Sequence, residues 1–174
     1  MSTDQQPGHL DASSPDDTLD DTPAADAVVR EVVVACSVDH AFEVFTAGID
    51  RWWIRRHHLL DGELAEIGIE PEVDGRVWER SQSGAECTFG RVLAWQPPTV
   101  FAFSWQIGPD WAPPAPDAPG SRVSVRFTAV PGGTRVRLVH DQLAAHGEGW
   151  DTLYGAVGAD GGWAALLRQF AATC

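Results

Sequence analysis

The last strand-like run of the chain closes on a histidine. Val136, Leu138 and His140 alternate with Arg135, Arg137 and Val139, so the three share a face, and its two apolar members turn that face inward. A neutral imidazole at such a place can hydrogen-bond a ligand carbonyl or act as a general base. The plainer reading is a core histidine bonded to a backbone carbonyl. Glu79, Glu86 and Arg91 lie on neighbouring runs, where they offer an acid–base group and a substrate anchor, or simply an ion pair. The face each presents depends on register, which one bulge would invert. Other chemistries fail on spacing. His57 and His58 are adjacent and point apart, while His140 and His146 straddle a strand end, and neither pair makes a zinc pattern. Cys87 has no evident His partner, no strand–Gly-x-Ser-x-Gly–helix element occurs, and the glycines at 158, 161 and 162 lack the Lys of a phosphate loop. No catalytic residue is assigned, and no metal or cofactor is expected.

The elements that must position these groups begin at residue 28. Val28, Val29, Val32, Val33 and Val34 form a β-branched strand. Ser37 then caps a short helix whose Val38, Ala41, Phe42 and Phe45 fall at i, i+3, i+4, i+7, and Gly48 stops it. A second short helix carries Trp52 and Trp53, followed by the basic segment Arg55, Arg56, His57, His58. From 64 to 140 the period changes to two. Runs over 66–73, 76–82 and 86–96 are separated by Asp74-Gly75 and Ser83-Gly84. A fourth run, 99–107, places Phe101, Phe103, Trp105 and Ile107 on one face. A fifth does the same with Val123, Val125, Phe127 and Ala129, and Pro131-Gly132-Gly133 turns it into the sixth. Short turns between successive strands imply an antiparallel meander. Only 108–120 interrupts it, a Pro-rich loop around Trp111 that reads either as a semi-rigid flap or as a solvated excursion. Helical period returns in Trp150, Leu153, Tyr154, Val157 and again in Trp163, Leu166, Leu167, Phe170, with Asp160 as a cap for the second helix.

Composition bounds the function. The 174 residues fit one domain, and 44% hydrophobic content suffices for a core. A net charge of −13 argues against tracking nucleic-acid phosphates and against docking on an anionic membrane. Seven aspartates and no Arg or Lys fall within residues 1–27, which reads as a disordered acidic tail ahead of a domain over 28–174. That opening is no signal peptide and no run is apolar enough to span a membrane, so a cytoplasmic location is expected. Cys36, Cys87 and Cys174 suggest neither a disulfide framework nor a zinc knuckle. Cys36 and Cys87 read as small core residues, and Cys174 as an exposed terminus.

Residue motifs sharpen the fold. Gly75-Arg76-Val77-Trp78-Glu79-Arg80, Gly90-Arg91-Val92-Leu93-Ala94-Trp95 with Pro97-Pro98, Phe103-Ser104-Trp105 and Gly133-Thr134-Arg135-Val136 resemble the central hairpins of the START-like (SRPBCC) superfamily. His146-Gly147, Gly162-Trp163 and Leu166-Leu167 resemble its activator-of-heat-shock-ATPase homologue branch. The resemblance, over about 28–173, implies an α+β helix-grip fold, a curved antiparallel sheet wrapped on a C-terminal helix. Its members include lipid and hormone binders, polyketide cyclases and co-chaperone domains, so the fold does not choose among them.

A sheet gripping a helix leaves a gap lined by inward strand residues. Trp78, Arg91, Phe103 and Trp105 are the candidate ligand-binding residues from the first four runs. Phe127, His140, Trp163 and Leu167 complete the set. The alternative is that the aromatic residues pack on one another and fill the space. The favoured expectation is non-catalytic binding of a small hydrophobic molecule. A co-chaperone-like interaction with a chaperone or other protein, anchored on exposed Trp52, Trp53 and Trp111, is a second. A cyclase or dehydratase acting on a polyketide-like substrate through His140 or Glu79 is a third. The chain is expected as a monomer or a homodimer.

Overall fold

Seven strands form a single antiparallel sheet in which the first strand lies beside the last and the others follow back in order to the second at the far edge. The computed structural model describes residues 23–174; most of the expected acidic tail, residues 1–22, lies outside them. The strands are β1 (Val28–Val34), β2 (Leu64–Ile69), β3 (Arg76–Ser81), β4 (Glu86–Gln96), β5 (Val100–Trp105), β6 (Ser121–Val130) and β7 (Gly133–Asp141). Helices α1 (Val38–Thr46) and α2 (Ile49–Trp52) follow β1, and α3 (Trp150–Gly158) and α4 (Trp163–Thr173) close the chain after a 3₁₀ turn at Leu143–His146. Beside β7, the first strand is paired from Val28↔His140 to Val34↔Thr134. This is the helix-grip architecture expected, with α4 lying across β1 and against α1 and α2.

Local chemistry accounts for most boundaries. Ser37 caps α1 as expected, its Oγ accepting from the His40 N–H at 3.2 Å. The strand expected over 66–73 is Leu64–Ile69 instead, because Pro71 has no N–H to carry the ladder beyond Glu70. The Glu70 carboxylate takes the backbone N–H of Arg76 at 2.8 Å and the Arg76 Nε at 2.7 Å, which ties the turn. Asp160 does not cap α4. The cap position is Gly162, where a Cβ would lie 2.4 Å from the Val157 carbonyl oxygen, so the close approach of α4 to α3 requires glycine.

The core divides into two regions. Around Phe45 the space is filled with rings: Trp52, Phe101, Phe127 and Phe170 sit at centroid distances of 4.9, 6.3, 5.6 and 5.2 Å. Trp52 and Trp53 belong to this interior, at 2% and 7% exposure, and are not the exposed anchors expected. Their indole N–H groups are used inside the fold, donating to the Val44 and His57 carbonyls at 3.0 and 2.8 Å. Towards the other end of the helix the packing opens.

Cys36 and Cys174 form a disulfide, with Cα atoms 6.4 Å apart. This overturns the expectations that the cysteines form no disulfide, that Cys36 is simply a small core residue and that Cys174 is an exposed terminus. A separation of 138 residues carries no sign of proximity, which arises only because α4 returns to the end of β1. Disulfides persist in oxidising surroundings, so the bond gives no support to the expected cytoplasmic location. Cys87 is buried and free, as expected. No helix among the described residues is long and apolar enough to cross a membrane.

Candidate functional site

Between the open end of the sheet and the N-terminal half of α4 lies a cavity of about 340 Å³, within the size range of small-molecule sites. Trp53, Phe89, Trp105, Ile107, Trp163 and Leu166 give it aromatic and aliphatic walls. Glu79 stands among them. At the solvent side the wall passes to Arg56, Trp111 and Gly161, all exposed. Trp111 comes from the Pro-rich loop, whose base is held by Gln106 Nε2 donating to the Ala118 carbonyl at 3.1 Å. The flap reading of that loop therefore has a structural basis: its tryptophan faces the cavity although 43% exposed.

Three indoles of the wall differ in what their N–H groups do. That of Trp53 is bound to the His57 carbonyl, and that of Trp163 donates to His140 Nδ1 at 3.0 Å. The Trp105 Nε1 is buried with no partner, alone in this among the described side chains. A buried unmade hydrogen bond costs about 1–3 kcal/mol. Because this N–H is shielded from the cavity as well as from water, it meets a ligand acceptor only when the ring turns to bring it to the cavity surface.

Glu79 is the second polar group of the wall, and only 2% exposed. It faces inward with Val77 and Ser81, in the alternation that turns Arg76, Trp78 and Arg80 outward. Its Oε1 accepts the backbone N–H groups of Leu59 and Leu60, both at 2.8 Å. Those bonds fasten the segment after α2 over the cavity. They leave Oε2 without a protein donor among the described residues.

His140 lies one layer behind, fully buried, its ring 5.4 Å from that of Trp105 and 6.0 Å from that of Trp163. It is inward as expected, but its partners are side chains and not a backbone carbonyl. Because Nδ1 accepts from Trp163, the ring proton sits on Nε2 and donates to Ser121 Oγ at 2.7 Å. Ser121 Oγ lies in turn 3.0 Å from His146 Nε2 and 3.4 Å from the Trp105 carbonyl oxygen. One polar chain thus holds the Trp163 indole and the backbone of Trp105.

Burial, and secondarily the facing His146, pushes the His140 pKa down from 6.5 to about 3. The folded ring refuses a proton that the unfolded ring accepts near 6.5. Its stabilising contribution is therefore complete above that pH and is lost as pH falls towards 3. At about 1.4 kcal/mol per pH unit, urea unfolding is expected to lose about 2–3 kcal/mol between pH 6.5 and 4.5 through this residue. His140→Gln should flatten the profile by that amount. His57, also lowered chiefly by burial, slopes the same way in both proteins. Because His146 couples to His140 through Ser121, the pair is compared on a His146→Gln background, where the difference isolates His140. Identical slopes would refute the assignment.

The family model described as activator of Hsp90 ATPase homolog 1-like protein matches residues 35–174. The chain belongs to that family. Solved structures agree on the fold. An anthrahydroquino-γ-pyrone synthase, Txn09, complexed with SUM is 38% identical, with 88% of this chain and 97% of that one covered and a TM-score of 0.61. A Rhodobacter sphaeroides protein is 18% identical, covering 87% and 94%, at TM-score 0.61. The Aha1 dimer from Colwellia psychrerythraea is 15% identical, covering 82% and 90%, at TM-score 0.54. No curated protein matches the chain.

Within this member of the Hsp90-activator homologue family, the eight residues expected to bind ligand fall into four places. Trp105 and Trp163 line the cavity, and His140 supports them. Phe103, Phe127 and Leu167 are buried in the filled core, Phe103 stacked on Phe101 at 5.4 Å. Trp78 and Arg91 are on the outer face of the sheet, away from the cavity. Trp78 lies across Gly68, where a Cβ would come within 2.6 Å of its ring, and is flanked by the guanidinium groups of Arg76 and Arg80 at 5.9 and 5.0 Å. Arg91 donates to the Asp74 carbonyl at 3.2 Å. Glu86 is also outside, paired with Arg80 at 2.9 Å, so the ion-pair reading holds for it. Sequence reasoning did not place Phe89 and Leu166 in a site, and it read Trp53 as an exposed docking anchor and Arg56 as part of a basic surface segment, where the structure brings all four to the cavity wall. Among the described residues no group of His, Cys, Asp or Glu is placed to hold a metal ion.

Proposed function

We propose that the cavity binds a small, flat, aromatic polyketide-type molecule and closes an oxygen-containing ring on it. Glu79 Oε2, free of protein donors in a mostly aromatic wall, carries this reading, because it calls for a flat apolar ligand bearing a hydroxyl. The buried unpaired Trp105 N–H gains a carbonyl-type acceptor when its ring turns to the cavity. The 38% identity to a γ-pyrone synthase supports the ring-closing step. A γ-pyrone forms when a hydroxyl oxygen adds to one carbonyl of a 1,3-diketone and that carbonyl's oxygen leaves as water. Glu79 takes the hydroxyl proton as the C–O bond forms and passes it to the carbonyl oxygen, giving a hemiketal. It then takes a proton from the carbon between the two carbonyls and gives it to the hemiketal hydroxyl, which leaves as water as the ring C=C forms. The Trp105 N–H, its ring turned to the cavity, meets the oxygen on which charge gathers. No external oxidant or reductant enters. Burial of Trp52 and Trp53 withdraws the exposed pair that a partner-docking reading would use.

Calorimetric titration with 1,8-dihydroxyanthraquinone tests the binding claim. Saturable binding at one site is expected, weakened by about tenfold in Trp105→Phe, the equivalent of one hydrogen bond of 0.5–1.5 kcal/mol. Absence of binding, or equal affinity in the variant, would remove the basis of the proposal.

A further inference from the structure

The two ends of the cavity carry opposite charge. Glu79 is its one carboxylate and lies on the buried side, while Arg56 is its one guanidinium and lies on the exposed side. Four arginines of the sheet hold carboxylates, while Arg126 of β6 and Arg51 of α2, which have no ion pair among the described residues, do not line this cavity. Arg76 holds Glu70, Arg80 holds Glu66 and Glu86, Arg122 holds Asp141, and Arg135 holds Glu31, all within 3.1 Å. Next to Arg56 in sequence, Arg55 is paired with Asp50 at 2.9 Å. Arg56 has neither an ion pair nor a hydrogen-bond partner among the described residues. Its neighbour His57, also in the wall, has its pKa lowered by burial and by the Arg56 charge, so it stays neutral and leaves Arg56 as the fixed cation of the mouth.

We infer that the ligand carries an anionic substituent, a carboxylate in the simplest case, that is held by Arg56 at the cavity mouth while its neutral hydroxyl end faces Glu79. The inference rests on the aromatic-ligand reading above and adds the ligand's charge and orientation to it. Three physical points support it. A guanidinium offers a carboxylate two parallel donors, which fixes direction as well as attraction. In a chain of net charge −13, an anion meets repulsion over most of the surface, so one unpaired cation beside a low-dielectric opening sets the point of entry. The buried carboxylate of Glu79 penalises the reversed pose, which would bring two negative charges together away from water. Trp111 and Trp53 give the intervening ring system its apolar contacts.

The test compares anthraquinone-2-carboxylate with anthraquinone-2-carboxamide, near-isosteres that differ in charge, on wild type and Arg56→Gln. In wild type the carboxylate is expected to bind about tenfold tighter, and the advantage should shrink as salt is raised from low to high. In Arg56→Gln the two should bind within about twofold of each other, with the loss falling mainly on the carboxylate. Equal binding of the two probes by wild type, or a preference that survives in Arg56→Gln, overturns the inference while leaving the aromatic-ligand reading intact. If wild type binds neither probe, both fall.

Discussion

Glu79→Gln is expected to slow ring closure by about 10²–10⁴-fold, the usual contribution of a positioned general base, while leaving affinity for 1,8-dihydroxyanthraquinone within about threefold. The separation of the two effects follows from how Glu79 is held. Its Oε1 accepts the Leu59 and Leu60 N–H groups, and a glutamine carbonyl can accept both in the same place. The segment over the cavity should stay fastened and the shape should survive. What the substitution removes is the charge and the proton-accepting Oε2. A suitable probe is 2′-hydroxydibenzoylmethane, which closes to flavone with loss of water and can be followed by absorbance. No acceleration by wild type would reduce the proposal to binding alone. Full activity in Glu79→Gln would move the base elsewhere. Activity lost together with binding would mean that Glu79 acts through the fold, by anchoring residues 59–60.

His140 is the wrong group for that task. Its ring is tied at both nitrogens, with Trp163 donating to one and Ser121 receiving from the other, and burial keeps it neutral. It behaves as a positioning residue for Trp163. The histidine was legible in the sequence because Val136 and Leu138 mark its face, and alternation is indifferent to what the third residue is. The same logic should have placed Trp78 outside. Arg76 and Arg80 share its face and are charged, but an aromatic residue invites an inward assignment. The register shift in the β3–β4 ladder between Val77 and Trp78 adds to the ambiguity. Glu79 follows as the converse, a carboxylate on the buried face, which hydropathy alone assigns outward. The order of strands and helices was readable because each has its own period and its own turn residues. Arg56 and Trp111 had no such signal. They reach the cavity from irregular segments, where sequence carries no periodicity to say which way a side chain turns.

Breaking the Cys36–Cys174 bond is expected to lower the unfolding free energy by about 5 kcal/mol, the chain-entropy value for a closed loop of 138 residues. The bond joins groups that the fold already places. Thr134 Oγ1 donates to the Cys36 carbonyl at 2.8 Å, and the Cys174 N–H donates to the Phe170 carbonyl at 3.1 Å in the last turn of α4. Cys174→Ser should therefore act mainly by freeing the unfolded chain, with little change to the native packing. Reshuffling is disfavoured, since burial, and then the charge of Glu79, push the remaining Cys87 thiol up to about 11. Urea unfolding with and without dithiothreitol checks the expectation: reductant should bring wild type down to the variant and leave the variant where it is. A wild-type midpoint indifferent to reductant, with both thiols shown by mass to be reduced, would refute the loop-closure account. The effect on ligand affinity should be much smaller than the effect on stability. The disulfide holds the C-terminal end of α4, whereas Trp163 and Leu166, its contributions to the cavity, sit at the other end, where the His140 contact fixes Trp163 independently. A variant that loses stability and ligand affinity in equal measure would mean that α4 moves as one rigid rod, pinned only by its last residue.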